Sequence, residues 1–154
     1  MDFQLSLESE GVESAYPDQP LATTVDATAG DALQLLRAQR TGAILICEGT
    51  KLVGILTERD ALKLMAAEAD FSTPVRSVMS SPPATIAAHA TVGEAIRRMS
   101  EGGYRHLPIV DDQGRPTGVL AVQGIVHYLV DHFPSTVYNL PPDPKATTKE
   151  REGA

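Results

Sequence analysis

The segment Gly54-Ile55-Leu56-Thr57-Glu58-Arg59-Asp60 combines residue types that suit a nucleotide. Apolar residues give way to Thr57-Glu58-Arg59-Asp60, so the spacing predicts a strand that ends where a helix begins. Free backbone N–H groups at a helix start attract phosphate, and a carboxylate there can accept two ribose hydroxyls. The same Thr57-x-x-Asp60 spacing is also an ordinary capping box, in which hydroxyl and carboxylate satisfy each other's backbone N–H. Both readings stand on these residues alone.

Other reactive side chains carry less pattern. His127 and His132 are five apart, not at the i, i+4 spacing of a metal pair on a helix, and His89 stands alone. Cys47 lies in an apolar run and reads as packed, not reactive. Asp111-Asp112 falls in a turn, where aspartate is common. No nucleophile carries a G-x-S-x-G signature. The expectation is a protein without enzymatic activity and without a metal.

The elements that would position Thr57 and Asp60 come from an internal repeat. Shifting the chain by 63 residues places Ala27-Thr28 on Ala90-Thr91, and Gly30, Ala32 and Ile46 on Gly93, Ala95 and Ile109. One extra residue in the turn Asp111–Gly114 raises the offset to 64, where Gly54 and Leu56 meet Gly118 and Leu120. Thr28–Asp31 and Thr91–Glu94 read as helix starts, each followed by apolar residues at i, i+3, i+4 and i+7. Ala43–Cys47 and Leu107–Val110 read as strands that return through Leu52–Leu56 and Thr117–Val122. Ala61, Leu62, Met65 and Ile125, Val126, Leu129 mark a last helix in each unit. With short strands near Ala22–Val25 and Ala84–Ala87, each unit spells β-α-β-β-α, and Pro74–Met79 links them. The fold class is α/β, of the α+β type.

Two such units with G-h-L-x-x-x-x strand–helix junctions resemble a tandem pair of cystathionine-β-synthase (CBS) domains, here a stand-alone pair. The resemblance covers about residues 21–134 and is carried by Gly54–Asp60, Val78-Met79 and Tyr104–Asp111. It implies a pseudo-twofold disc with two clefts between the repeats, and an adenosyl ligand such as AMP, ADP, ATP or S-adenosylmethionine as effector. It further implies a homodimer and regulation of an attached or separate protein. Asp60 would hold the ribose hydroxyls and Thr57 would lie near the phosphate. Arg105 and His106 would reach phosphates held by the first repeat, and Ala22 and Pro108, with Leu21 and Ile55, would wall the adenine. The second repeat departs from the motif, with Ala121 for the threonine and Gly124 for the aspartate, while Gly42 and Ala43 stand where Arg105 and His106 would have counterparts. One competent site per chain is therefore expected. The rival is a ligand-free dimerisation or interaction module in which Thr57 and Asp60 only cap a helix; a small nucleotide hydrolase is a third class.

The chain has 154 residues and a formal charge of −7, with hydrophobic content of 42% and one cysteine. This suits one compact domain, excludes an internal disulfide framework or four-cysteine zinc site, and lacks the basic footprint of a nucleic-acid binder. The apolar run around Ala43–Cys47 is far short of the roughly 20 residues of a membrane span. No basic stretch precedes an apolar run after Met1, so a cytoplasmic protein is expected. Residues 1–20 alone carry −5, so the acidity does not argue against an anionic ligand. The expected division is an acidic, loosely ordered segment at 1–20, with Phe3, Leu5 and Leu7 alternating as a strand might. Repeats follow at 21–72 and 73–134, and a polar tail at 135–154.

Overall fold

A computed structural model describes residues 3–39 and 42–133. The first part contains α1 (Phe3–Ser9), a 3-10 turn (Val12–Ala15), β1 (Ala22–Thr24), α2 (Ala29–Gln39), β2 (Ala43–Glu48), β3 (Lys51–Thr57) and α3 (Glu58–Ala66). A second 3-10 turn (Val75–Ser77) leads into β4 (Ile86–Ala87), α4 (Val92–Gly102), β5 (His106–Val110), β6 (Pro116–Ala121) and α5 (Val122–His132). The mixed α/β class and the duplicated β-α-β-β-α unit are thus those read from the sequence. The expected tail at 135–154 lies outside the described residues.

Each repeat builds its own three-stranded sheet, ordered β1-β2-β3 and β4-β5-β6. The middle strand is the apolar run, paired parallel on one side (Ala22↔Leu45, Ile86↔Ile109) and antiparallel on the other (Leu45↔Ile55, Pro108↔Val119). Such a run buries both faces: Ile44 and Ile46 pack under the helices of the first repeat, while Ala43, Leu45 and Cys47 join Ile55 and Val119 between the sheets. Helix starts follow the sequence signals. Thr91 and Glu94 form a complete capping box, and the Thr28 hydroxyl accepts the Asp31 N–H at 3.1 Å.

One expectation is corrected. The N-terminal segment, expected loosely ordered or as a strand, forms α1 and the first 3-10 turn. Glu8 and Glu13 are exposed, with Glu8 paired to Arg97, while Leu7, Val12 and Ala15 join the core of the second repeat. In the last helices Leu62, Met65 and Val126 are exposed, and Ala61 and Ile125 are the buried members of those stretches.

The 3-10 turns are exchanged between repeats. Val12 N–H donates to the Ala90 carbonyl (3.0 Å) and Val92 N–H to that of Glu10 (2.8 Å), so the turn preceding the first repeat packs on the second. Reciprocally, Val75 N–H donates to Ala27 (2.7 Å) and Ala29 N–H to Thr73 (2.8 Å). Each pair of bonds maps onto the other under the same shift of 63. The segments then run on beside the last strands, where Asp18 bridges Val119 and Ser80 bridges Ile55.

Candidate functional site

Thr57 ends β3 with extended backbone and caps α3. Its hydroxyl oxygen accepts the Asp60 N–H at 3.3 Å. Asp60 Oδ2 accepts from both the Thr57 N–H (2.9 Å) and the Thr57 hydroxyl (3.0 Å). The cap therefore fixes the aspartate rotamer while using one carboxylate oxygen; among the described residues no hydrogen bond falls on Oδ1. Both side chains are partly exposed. A carboxylate held this way at a helix start is equipped to accept hydroxyl protons from a ligand.

The second repeat reaches this end through His106. Its imidazole lies against Gly42, where any Cβ would stand 2.6 Å from Cε1 and overlap Nε2. A side chain at 42 would therefore displace the ring from this position. Gly42 accepts the Glu58 N–H at 3.2 Å, and its neighbour Ala43 pairs with Thr57, so the ring sits beside the strand that positions the cap. The equivalent bond in the other half runs from Val122 N–H to the Arg105 carbonyl at 3.0 Å. Gly42 and Arg105 therefore occupy matching places: one makes room for His106, the other carries an exposed guanidinium.

Burial holds the His106 imidazole below the ordinary histidine range, and the Arg105 charge adds to this against the opposing pull of Glu58 and Asp18. A half-buried imidazole in that state is neutral at neutral pH and serves as a hydrogen-bonding group. Arg105 is left as the lasting cation of the pair.

Residues expected around an adenine occupy the facing surfaces of the sheets. Ala22, Leu45 and Ile55 form one in-register row, and Pro108 pairs with Val119 across β5 and β6. Ala22 is exposed and Leu21 partly so, whereas Ile55 and Pro108 are buried, Pro108 to below 2% exposure. As the chain stands, Ala22 is the open end of that wall and Pro108 presents no free surface.

The second half is built differently at the matching positions. Ala121 precedes α5 without any side-chain cap, and a Cβ on Gly124 would lie 2.5 Å from the Ala15 carbonyl oxygen. The exchanged N-terminal segment thus packs where an aspartate side chain would begin.

Sequence reasoning missed Asp18 and Glu58, whose carboxylates act on His106, and missed why position 42 is glycine. None of the three has a local signature, because each depends on tertiary approach. A groove of about 480 Å³ lies elsewhere, between α2 and α3, lined chiefly by Leu33, Leu36, Ala61, Met65 and Phe71 with Glu58 at its edge. Among the described residues no helix is long and apolar enough to cross a membrane.

Comparison with known proteins fits this architecture. The model of the CBS domain matches twice, at residues 12–67 and 75–131, and so takes in the first 3-10 turn. The CBS domain-containing protein YhcV of Bacillus subtilis is 32% identical over 112 residues, covering 72% of this chain and 79% of that protein. The chain covers 63% and 56% of the lengths of two archaeal relatives, from Acidianus ambivalens and Methanopyrus kandleri. Among solved structures, the CBS domain protein PAE2072 from Pyrobaculum aerophilum, complexed with AMP, superposes with a TM-score of 0.71 at 22% identity, covering 79% of this chain and 98% of that one. The CBS domain pair of MJ0100, in complex with 5′-methylthioadenosine and S-adenosyl-L-methionine, gives 0.69 at 23% identity, covering 76% and 97%.

Proposed function

The chain belongs to the CBS domain family as a tandem pair, and from that premise we propose that it is a regulatory module binding one adenosyl ligand at the Thr57–Asp60 end. The observation that carries this reading is the asymmetry between the halves. One half has an oriented carboxylate on an N-terminal helix turn and, from the other repeat, the His106 ring seated against Gly42, with the exposed Arg105 next to it in sequence. The other has Ala121 and Gly124 with the Ala15 carbonyl packed against it. Asp60 Oδ1 takes the ribose hydroxyls, Thr57 lies by the phosphate, and Arg105 meets it as a charge-assisted donor. Ala22, at the open end of the wall with Leu21 beside it, receives the base, while Pro108 and Ile55 back the wall from the buried side. Relatives solved with AMP or with 5′-methylthioadenosine and S-adenosylmethionine support the ligand class. In this reading the protein acts in the cytoplasm as a homodimer, performs no catalysis, and works by favouring one arrangement of the repeats that a partner protein senses.

The completeness of the Thr57–Asp60 box favours a second reading, a ligand-free interaction module in which these residues only cap α3. Titration calorimetry with adenosine, AMP, ADP, ATP, NAD and S-adenosylmethionine separates the two. Under the first, Asp60→Ala weakens binding by about 10- to 100-fold, the scale of hydrogen bonds to a charged group. Glu94→Ala is the control, because it opens the matching box on α4 with a similar loss of stability and leaves affinity alone. No saturable binding by the parent across the panel establishes the module reading instead.

A further inference from the structure

We propose that this site selects its ligand by charge, accepting an adenosyl ligand with at most one phosphate and disfavouring polyphosphates, with Glu58 and Asp18 as the specificity-determining residues; the inference rests on the adenosyl reading above. Glu58 opens α3, and its N–H binds the carbonyl of Gly42, the residue on which the His106 ring is seated. Asp18 is held through both of its backbone groups to Val119 on β6, two residues before the partner of His106, Ala121. Both carboxylates are exposed, and both act electrostatically on His106. Arg105 is the cation that acts on His106 from the same surroundings, and Asp60 adds a third carboxylate at the start of α3.

The consequence follows from Coulomb's law. A phosphate monoester brings about −1.5 to −2 charges at neutral pH, which one guanidinium and the helix N-terminus can offset. Each further phosphoryl group adds negative charge close to Glu58 and Asp18. The neutral His106 can donate one hydrogen bond but cannot balance that charge. Repulsion between partly exposed groups is modest per pair and screened by salt, and two carboxylates acting together give a difference that affinity measurements resolve.

The test is calorimetry in EDTA at low ionic strength with adenosine, AMP and ATP. The parent is expected to bind AMP at least about tenfold more tightly than ATP, a gap that narrows as salt rises. In Glu58→Gln, and separately in Asp18→Asn, the ratio of ATP to adenosine affinity rises by about 3- to 10-fold, with the uncharged nucleoside as the internal reference. ATP binding as tightly as AMP to the parent, or an unchanged ratio in both variants, overturns the charge selection alone. Failure of the parent to bind any of the three, adenosine included, overturns the adenosyl reading and the selection with it. Asp18→Asn, on an exposed side chain, keeps the test decisive should Glu58→Gln disturb the start of α3.

Discussion

The imidazole of His106 and the bare backbone of Gly42 depend on each other, because the ring occupies the space a side chain would need. Gly42→Ala forces the ring out of its seat and is expected to lower stability by about 1–3 kcal/mol, the range for overpacking. His106→Ala made in the same chain removes the obstacle, so the double variant recovers part of the loss, and a denaturant-melting cycle over the four proteins measures the coupling. Additive losses would show that the two positions do not meet. Burial also makes His106 a titrating contributor to stability. Its folded pKa lies below the unfolded value, so the fold holds the neutral form. The contribution is fully present above the unfolded value and is lost as pH falls from there through the folded pKa. Melting temperatures taken from about pH 7.5 to about pH 5 should fall more steeply for the parent than for His106→Gln, and parallel curves would remove His106 as the source.

Among the elements, the exchanged 3-10 turns make the clearest demand. Val12 and Val75 are fully buried and occupy matching places, yet each packs in the repeat that it does not introduce. Truncating either to alanine is expected to cost about 1–3 kcal/mol through lost apolar burial and an unfilled cavity. Hydrogen exchange distinguishes the two variants. Val12→Ala should speed exchange in α4 and α5, and Val75→Ala in α2 and α3; the reverse pattern, or uniform loosening, would contradict the exchange. This is also where the sequence was hardest to read. The β-α-β-β-α units were legible because helix caps, apolar strands and turns are local signals with fixed periods. The N-terminal segment packs against residues far from it in sequence, and its acidic composition (five Asp or Glu in residues 1–20 and no Lys or Arg) points away from a core. One signal was present: Val12 meets Val75 under the same offset of 63 that relates the rest of the repeat. At the site, Thr57 and Asp60 announce themselves through a motif, whereas Arg105 and His106 came only from the family resemblance. Asp18, Glu58 and Gly42 acquire their roles only when the repeats meet.

On the scale of the whole molecule, the duplicated design leaves apolar side chains uncovered at equivalent points. Leu62 on α3 is 67% exposed and Val126 on α5 52%, and the two match under the offset of 64. Met65 at 56% extends the first patch beside the apolar groove between α2 and α3, and Val122 at 39% extends the second. A second copy of the chain brings the same two helix faces, so a twofold arrangement can cover both patches with one isologous contact. The proposed homodimer then places the ligand site at the start of one short helix and the subunit contact further along it: Thr57 and Asp60 cap α3, and Leu62 and Met65 lie at its middle and in its last turn. Loss of dimerisation should therefore be separable from loss of ligand. Each apolar side chain covered contributes about 1.5–3 kcal/mol, and a glutamate there adds the desolvation of a charge. Leu62→Glu and Val126→Glu are each expected to weaken the dimer at least about tenfold, giving monomers in light scattering over a dilution series. Asp60→Ala should keep the parent's mass while losing affinity for AMP. A parent that is monomeric throughout the series, or glutamate variants with the parent's mass, would place the contact elsewhere or remove it. Dimers that persist in Asp60→Ala show that the cap serves the ligand end of α3 and not the assembly.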